Sequence, residues 1–209
     1  MLELGVTYRD IDMILYTHIH PDHVSDFVPI VFATKYADLP REKELFCIGG
    51  PGFKSYFEKL KKVYGHWIDP QSYKLTIKEI PQEGLVYRDL KILSKPMAHI
   101  SESVGYRIEF KEDTSITVSG DTDYCQNIIE LAHEVDLLIL ECSFPDGKKK
   151  VEGHLTPSWA ARIASESRCR KLLLYHFYPI CDEYDILTQC RQSYQGEVLL
   201  AEDLMKVKI

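Results

Sequence analysis

The sequence predicts an α/β fold, and three observations carry that prediction. Strand-like and helix-like patterns alternate along most of the 209 residues, as in domains that layer helices on sheets. Hydrophobic residues make up 45% of the chain and charged residues 27%, enough for one sizeable core, so a single globular domain spanning 1–209 is expected. Several apolar strand runs stop at a His or an acidic residue, which gathers polar chemistry at strand ends.

Taken in order, the first strand is expected over 12–17, where the apolar run Met13-Ile-Leu-Tyr-Thr17 stands. A helix over 24–38, a strand over 45–48 and a helix over 51–64 follow, each read from its hydrophobic period. Strands are expected over 73–79 and 85–93, then over 103–110, where Ser103-Val-Gly-Tyr-Arg-Ile-Glu-Phe110 alternates apolar and polar, and over 114–119. A helix over 124–133 leads to a buried-strand run over 136–141, Asp136-Leu-Leu-Ile-Leu-Glu141. The helix over 157–168 has a start signal: Thr156 can cap it, Pro157 suits its first position, and Leu155 can pack against Ala160. The strand over 171–175 ends in His176 and a proline-containing turn, and a helix over 183–194 and a strand over 197–200 close the chain.

Cysteines 47, 125, 142, 169, 181 and 190 form no CxxC or regular framework, and Cys47 and Cys142 fall in strand-like runs. Free thiols in a reducing cytoplasm are therefore expected. No apolar run approaches the length of a transmembrane helix, and no basic stretch precedes a hydrophobic segment at the N-terminus. The expectation is a cytoplasmic protein with no membrane partner.

Residues 18–23 read His-Ile-His-Pro-Asp-His. Imidazoles crowded in this way repel one another once protonated, and the set is costly to order without a cation. Alternate side chains of a strand share a face, so His18 and His20 can point into one site if the strand direction continues past Thr17. Pro21 disfavours a helical conformation at His20 and can open a turn that brings Asp22 and His23 round to the same cavity. Downstream, His99 stands just before the 103–110 strand, Asp121 follows the 114–119 run through Gly120, and His176 ends the 171–175 run. Singly, each is more often a hydrogen-bonded turn residue than a ligand. Two further histidines, His66 and His133, lie on polar helical stretches and should face solvent.

The HxHxDH pattern, followed in order by His99, Asp121 and His176, resembles the signature of the metallo-beta-lactamase superfamily. The resemblance implies an αββα sandwich with a dinuclear metal site between its two sheets. It implies that His18, His20 and His99 hold one metal, that Asp22, His23 and His176 hold the other, and that Asp121 bridges them. Zinc suits imidazole and carboxylate ligands, and manganese or iron are also admissible on ligand type. Members of the superfamily normally place a glycine-containing strand and a hairpin ahead of the region matching Leu4–Asp12. The expectation is that those strands are lacking and that the domain is N-terminally incomplete.

The resemblance also implies a reaction class. Two divalent cations sharing Asp121 and a water lower the pKa of that water toward neutrality, and Asp22 could orient or deprotonate it, so metal-assisted hydrolysis is expected. Glu141, at the end of its strand, and His154, in Gly153-His154-Leu-Thr-Pro157, resemble the tRNase Z branch. There a Glu pairs with a His that donates to the scissile phosphate. The carboxylate would fix the tautomer and favour the charged imidazole. The alternative is a structural His holding its own loop.

Bacterial tRNase Z enzymes insert a long arm that grips tRNA between the positions matched by His99 and Asp121. Here they stand only 22 positions apart, enough for one hairpin, and the net charge is −7, against the basic surface usual for polynucleotide binders. The expected partner is therefore a small phosphodiester or cyclic nucleotide, as for the small phosphodiesterases of the superfamily, with long nucleic acid disfavoured and a homodimer a further expectation. Lys148-Lys-Lys150 could offer charge to a phosphate, although a solvated lysine turn is the preferred reading. Phe144, Phe177 and Tyr178 could stack on a base, although aromatic residues beside a site more often pack. The competing functions are hydrolysis of a carbon ester, thioester or lactone, tRNA 3′ processing without the arm, and metal binding without catalysis.

Overall fold

The computed structural model describes residues 1–36, 41–81 and 83–209, apart from the side chains of Leu2 and Tyr36. Contacts divide the chain into two compact units, Met1–Ile80 and Pro81–Ile209.

The first unit is built on a parallel sheet in the order β1 (Met13–Leu15), β2 (Leu45–Gly49) and β3 (Leu75–Glu79). Parallel neighbours need a crossover. Helices α1 (Pro21–Val24) and α2 (Phe27–Tyr36) lie between β1 and β2, and α3 (Phe53–Tyr64) lies between β2 and β3. Residues 37 and 38 of the helix expected over 24–38 lie outside the described residues. Its start is corrected: a helical turn begins early at Pro21, whose fixed φ suits the first helical position, and it is separate from α2, in whose first turn Pro29 has no N–H to donate to the Ser25 carbonyl. Tyr16, Phe27, Val31, Leu45, Cys47, Phe53 and Ile68 form the core, with the Tyr16 and Phe53 rings stacked at 5.0 Å. Arg41, only 2% exposed, donates to the carbonyls of Tyr8, Arg9, Ile11, Lys43 and Glu44. A buried cation persists when its N–H groups are satisfied in this way, and this one ties the segment ahead of β1 to the start of β2.

The second unit carries a seven-stranded sheet in the order β10 (Glu197–Leu200), β9 (Lys171–Tyr175), β8 (Leu137–Glu141), β7 (Ser115–Val118), β6 (Val104–Glu109), β5 (Leu90–Pro96) and β4 (Leu85–Tyr87). β7 to β10 run parallel, while β4 to β7 alternate in direction. The single strand expected over 85–93 is in fact a hairpin, with Tyr87 paired to Leu90 and Arg88 at φ 53 in the turn. Helices α4 (Gln126–Leu131), α5 (Pro157–Ser167) and α6 (Ile186–Arg191) complete the unit. In α5 the residues Ala160, Ala161, Ile163 and Ala164 are buried, one face of a helix. They share a core with the fully buried Leu138, Leu140, Leu172 and Leu174, each leucine contributing roughly 1.5–3 kcal/mol. Cys142, Cys169, Cys181 and Cys190 belong to the same core.

Strand direction places the candidate site. β5 runs opposite to β6, and β6 opposite to β7, so the C-terminal ends of β5, β7, β8 and β9 lie at one edge of the sheet. The chain passes from those ends to His99, Asp121, Glu141 and His176. The hairpin β6–β7 fills the interval between His99 and Asp121.

Candidate metal centre

In the first unit, β1 leads through Thr17 to His18, which is 1% exposed. His20 is extended at φ −64, ψ 148, as expected of a residue before proline. His18 Nε2 lies 3.1 Å from His20 Nδ1, and the rings of His18 and His23 stand 4.0 Å apart. Asp22 and His23 fall in the single turn of α1, with His23 Nε2 3.2 Å from Asp22 Oδ2. Two imidazole nitrogens at hydrogen-bond distance must share either one proton or one cation. The four predicted ligands of residues 18–23 are thus brought together.

In the second unit, Asp121 is 3% exposed and stands between two histidines. Its Oδ2 is 3.8 Å from His99 Nε2, and its Oδ1 is 3.5 Å from His176 Nε2. Both rings are held from behind. His99 Nδ1 is 3.1 Å from the Gly153 carbonyl oxygen, which can only accept, so Nδ1 carries the proton and Nε2 the lone pair. His176 Nδ1 is 3.0 Å from Ser143 Oγ, and His176 itself has φ 63, just past the end of β9. A carboxylate with one oxygen toward each of two imidazole nitrogens fits a ligand shared between two cations, and second groups that fix ligand tautomers are usual around metals.

Glu141 ends β8 fully buried. Its Oε1 accepts from Thr122 N–H at 3.0 Å and faces His154 Nδ1 at 2.9 Å. Its Oε2 accepts from the Ser143 amide and hydroxyl at 3.2 and 2.8 Å and from Leu155 N–H at 3.1 Å. The hydrogen bond to Glu141 raises the pKa of His154 above the usual imidazole value, against the opposing effect of burial, with further support from the charges of Glu141, Asp121 and Asp123. His154 stacks over His176 at 5.7 Å and joins Asp121 and His176 in one cluster of candidate ligand atoms.

Sequence reasoning missed several supports of this edge. Thr156 is the residue before α5 but makes no side-chain cap. Asp146 takes that part, accepting from Ser158 N–H and from the hydroxyls of Ser158 and Thr156, because a carboxylate ten residues back reaches the orphan amide better than the local hydroxyl does. Asp123 pairs with Lys150 and accepts from Gly153 N–H at 3.4 Å. Lys150 also lies over Trp159, and Lys148 over Tyr184. Phe144 and Tyr178 stack on each other at 4.9 Å, each 6.1 Å from His154. His66 and His133 are exposed as expected.

A family model described as a beta-lactamase superfamily domain matches residues 3–177. The chain belongs to this superfamily. An uncharacterized protein of Mycobacterium bovis is 27% identical to it over 201 residues, covering 93% of this chain and 74% of its own. Ribonuclease Z of Bacillus licheniformis is 26% identical over 230 residues, covering 84% and 73%. Among solved structures, the metallo-beta-lactamase fold protein YhfI from Bacillus subtilis matches with a TM-score of 0.79 at 25% identity, over 96% of this chain and 79% of that one. The expected α/β class and metallo-beta-lactamase fold are thereby established, and the superfamily consists mostly of metal-dependent hydrolases. No described helix is long and apolar enough to cross a membrane.

Proposed function

We propose that this superfamily member is a dinuclear metal-dependent phosphodiesterase acting on a small phosphodiester or cyclic nucleotide. His18, His20 and His99 would hold one divalent cation, Asp22, His23 and His176 the other, and Asp121 would be shared. Zinc is the proposed metal on ligand type. When bound, such cations supply a water activated near neutral pH and offset negative charge developing on phosphorus. The reaction setting we propose is the cytoplasm, where the six thiols stay reduced.

The observation that carries the choice of substrate is the buried Glu141–His154 pair, 2.9 Å apart and beside Asp121 and His176. Glu141 keeps a proton on Nδ1 and favours the charged ring, leaving Nε2–H to donate to a phosphate oxygen and then to the departing alkoxide. Asp22 would orient the attacking water and take its proton as the new P–O bond forms and the ester P–O bond breaks. A thioester or lactone needs no such second donor. The similarity to ribonuclease Z supports phosphodiester chemistry. The hairpin between His99 and Asp121 and the net charge of −7 favour a small substrate over tRNA.

Turnover of bis-(p-nitrophenyl) phosphate measured against a panel of lactones and thioesters tests the proposal. Hydrolysis of the phosphodiester is expected. Activity confined to the carbon esters would overturn it, and fewer than two metals retained under replete conditions would favour a binding protein.

A further inference from the structure

Ser143, two residues past Glu141, is fully buried. Its Oγ lies 2.8 Å from Glu141 Oε2, 3.0 Å from His176 Nδ1 and 3.1 Å from His154 Nδ1. A hydroxyl has one proton and two lone pairs, and a carboxylate oxygen only accepts. The nearest partner is the carboxylate, so the hydroxyl proton goes to Glu141 and the lone pairs face the two imidazoles. We infer that Ser143 is a positioning residue that holds His176 as its Nδ1–H tautomer, leaving the Nε2 lone pair beside Asp121 to take a divalent cation.

The opposite assignment fails on proton counting. Were His176 protonated on Nε2, its Nδ1 would need a proton from Ser143, whose single proton is already committed to Glu141, and Nε2 would have no lone pair for a metal. His154 differs in that its Nδ1–H is closer to Glu141 Oε1, at 2.9 Å, than to Ser143. The hydroxyl is also held in place. Ser143 N–H donates to the Leu155 carbonyl at 3.1 Å as well as to Glu141, while Tyr178 N–H and the Cys181 thiol donate to the Ser143 carbonyl at 3.2 and 3.3 Å. One buried carboxylate therefore orients the phosphate-facing His154 directly and the metal-facing His176 through a single oxygen. A change at Ser143 should reach the metal without touching it.

This inference rests on the two-metal reading above, and the experiment separates the two. Nitrogen-detected NMR of the metal-free 209-residue chain reads the tautomer of His176, and competition with a chromogenic chelator reads zinc affinity, in wild type, Ser143→Ala and Ser143→Thr. Expected are an Nδ1–H signal for His176 in the wild type, an affinity loss of about 10- to 100-fold at one site in the alanine variant, as for other groups that orient metal ligands, and recovery in the threonine variant, which keeps the hydroxyl. An Nε2–H signal in the wild type, or wild-type affinity in a folded alanine variant, overturns the inference. Wild-type protein that holds fewer than two zinc ions refutes the two-metal reading, while the His176 tautomer, read without metal, still decides the role of Ser143.

Discussion

Replacing Glu141 by glutamine keeps size and shape but changes what the side chain offers its neighbours. Every group pointing at the carboxylate is a donor: Thr122 N–H and His154 on one oxygen, the Ser143 amide and hydroxyl and Leu155 N–H on the other. Whichever way the amide turns, its NH2 confronts at least two of them. Two lost hydrogen bonds to a buried charged acceptor, at about 1.5–3 kcal/mol each, amount to ~3–6 kcal/mol. For a chain of this size that lowers Tm by roughly 6–24 °C in thermal denaturation followed by circular dichroism. The same change acts on His154, whose pKa is raised chiefly by its hydrogen bond to Glu141. A raised pKa keeps the imidazole protonated to higher pH, so losing the carboxylate lets it deprotonate at lower pH. The alkaline limb of kcat for bis-(p-nitrophenyl) phosphate should therefore move down in the variant. A Tm within about 2 °C of wild type, or an alkaline limb that stays where it was, would refute the reasoning.

Three further outcomes are expected. His154→Ala should retain both metals by elemental analysis and lose about 10²- to 10⁴-fold in kcat, the usual worth of a general acid; a fall in metal content would make His154 a ligand instead. Asp121→Ala should reduce the metals retained from two, and an unchanged count would rule out a shared carboxylate. Gly153 has φ 85, and a Cβ there would sit 2.6 Å from His99 Nδ1. Gly153→Ala should thus cost about 1–3 kcal/mol of backbone strain in chemical denaturation and weaken metal binding in a chelator titration, whereas full stability with unchanged affinity would show that the close approach is relieved at no cost.

The site was more legible than the scaffolding that supports it. Residues 18–23 announce themselves because ligand types are crowded, and Asp121, Glu141 and His176 because each ends an apolar run, where a parallel sheet collects its polar groups at one edge. The hairpin at Arg88 and Asp89 was hidden because the turn lacks the Asn-Gly or Asp-Gly that usually marks positive φ. Ser143, Asp123 and Asp146 were silent for another reason. A serine or aspartate in a loop is ordinary until the fold shows which distant donor or acceptor it meets. Arg41 reads as a surface charge from sequence, and only three-dimensional placement reveals the five carbonyls around it.

The buried thiols turn each unit into its own reporter of opening. Cys47 is the one cysteine of the first unit and sits in β2 with no exposed surface, while Cys142 and Cys190 are equally enclosed in the second. Burial pushes the Cys47 and Cys190 thiols up to about 12, so near neutral pH almost none of either is the thiolate that reacts. Alkylation of these positions then measures how often the surrounding core comes apart. Comparing the labelling rate at Cys47 with that at Cys190, with and without divalent cations, would tell whether the two units open as one cooperative body or separately, and which of them the metal restrains.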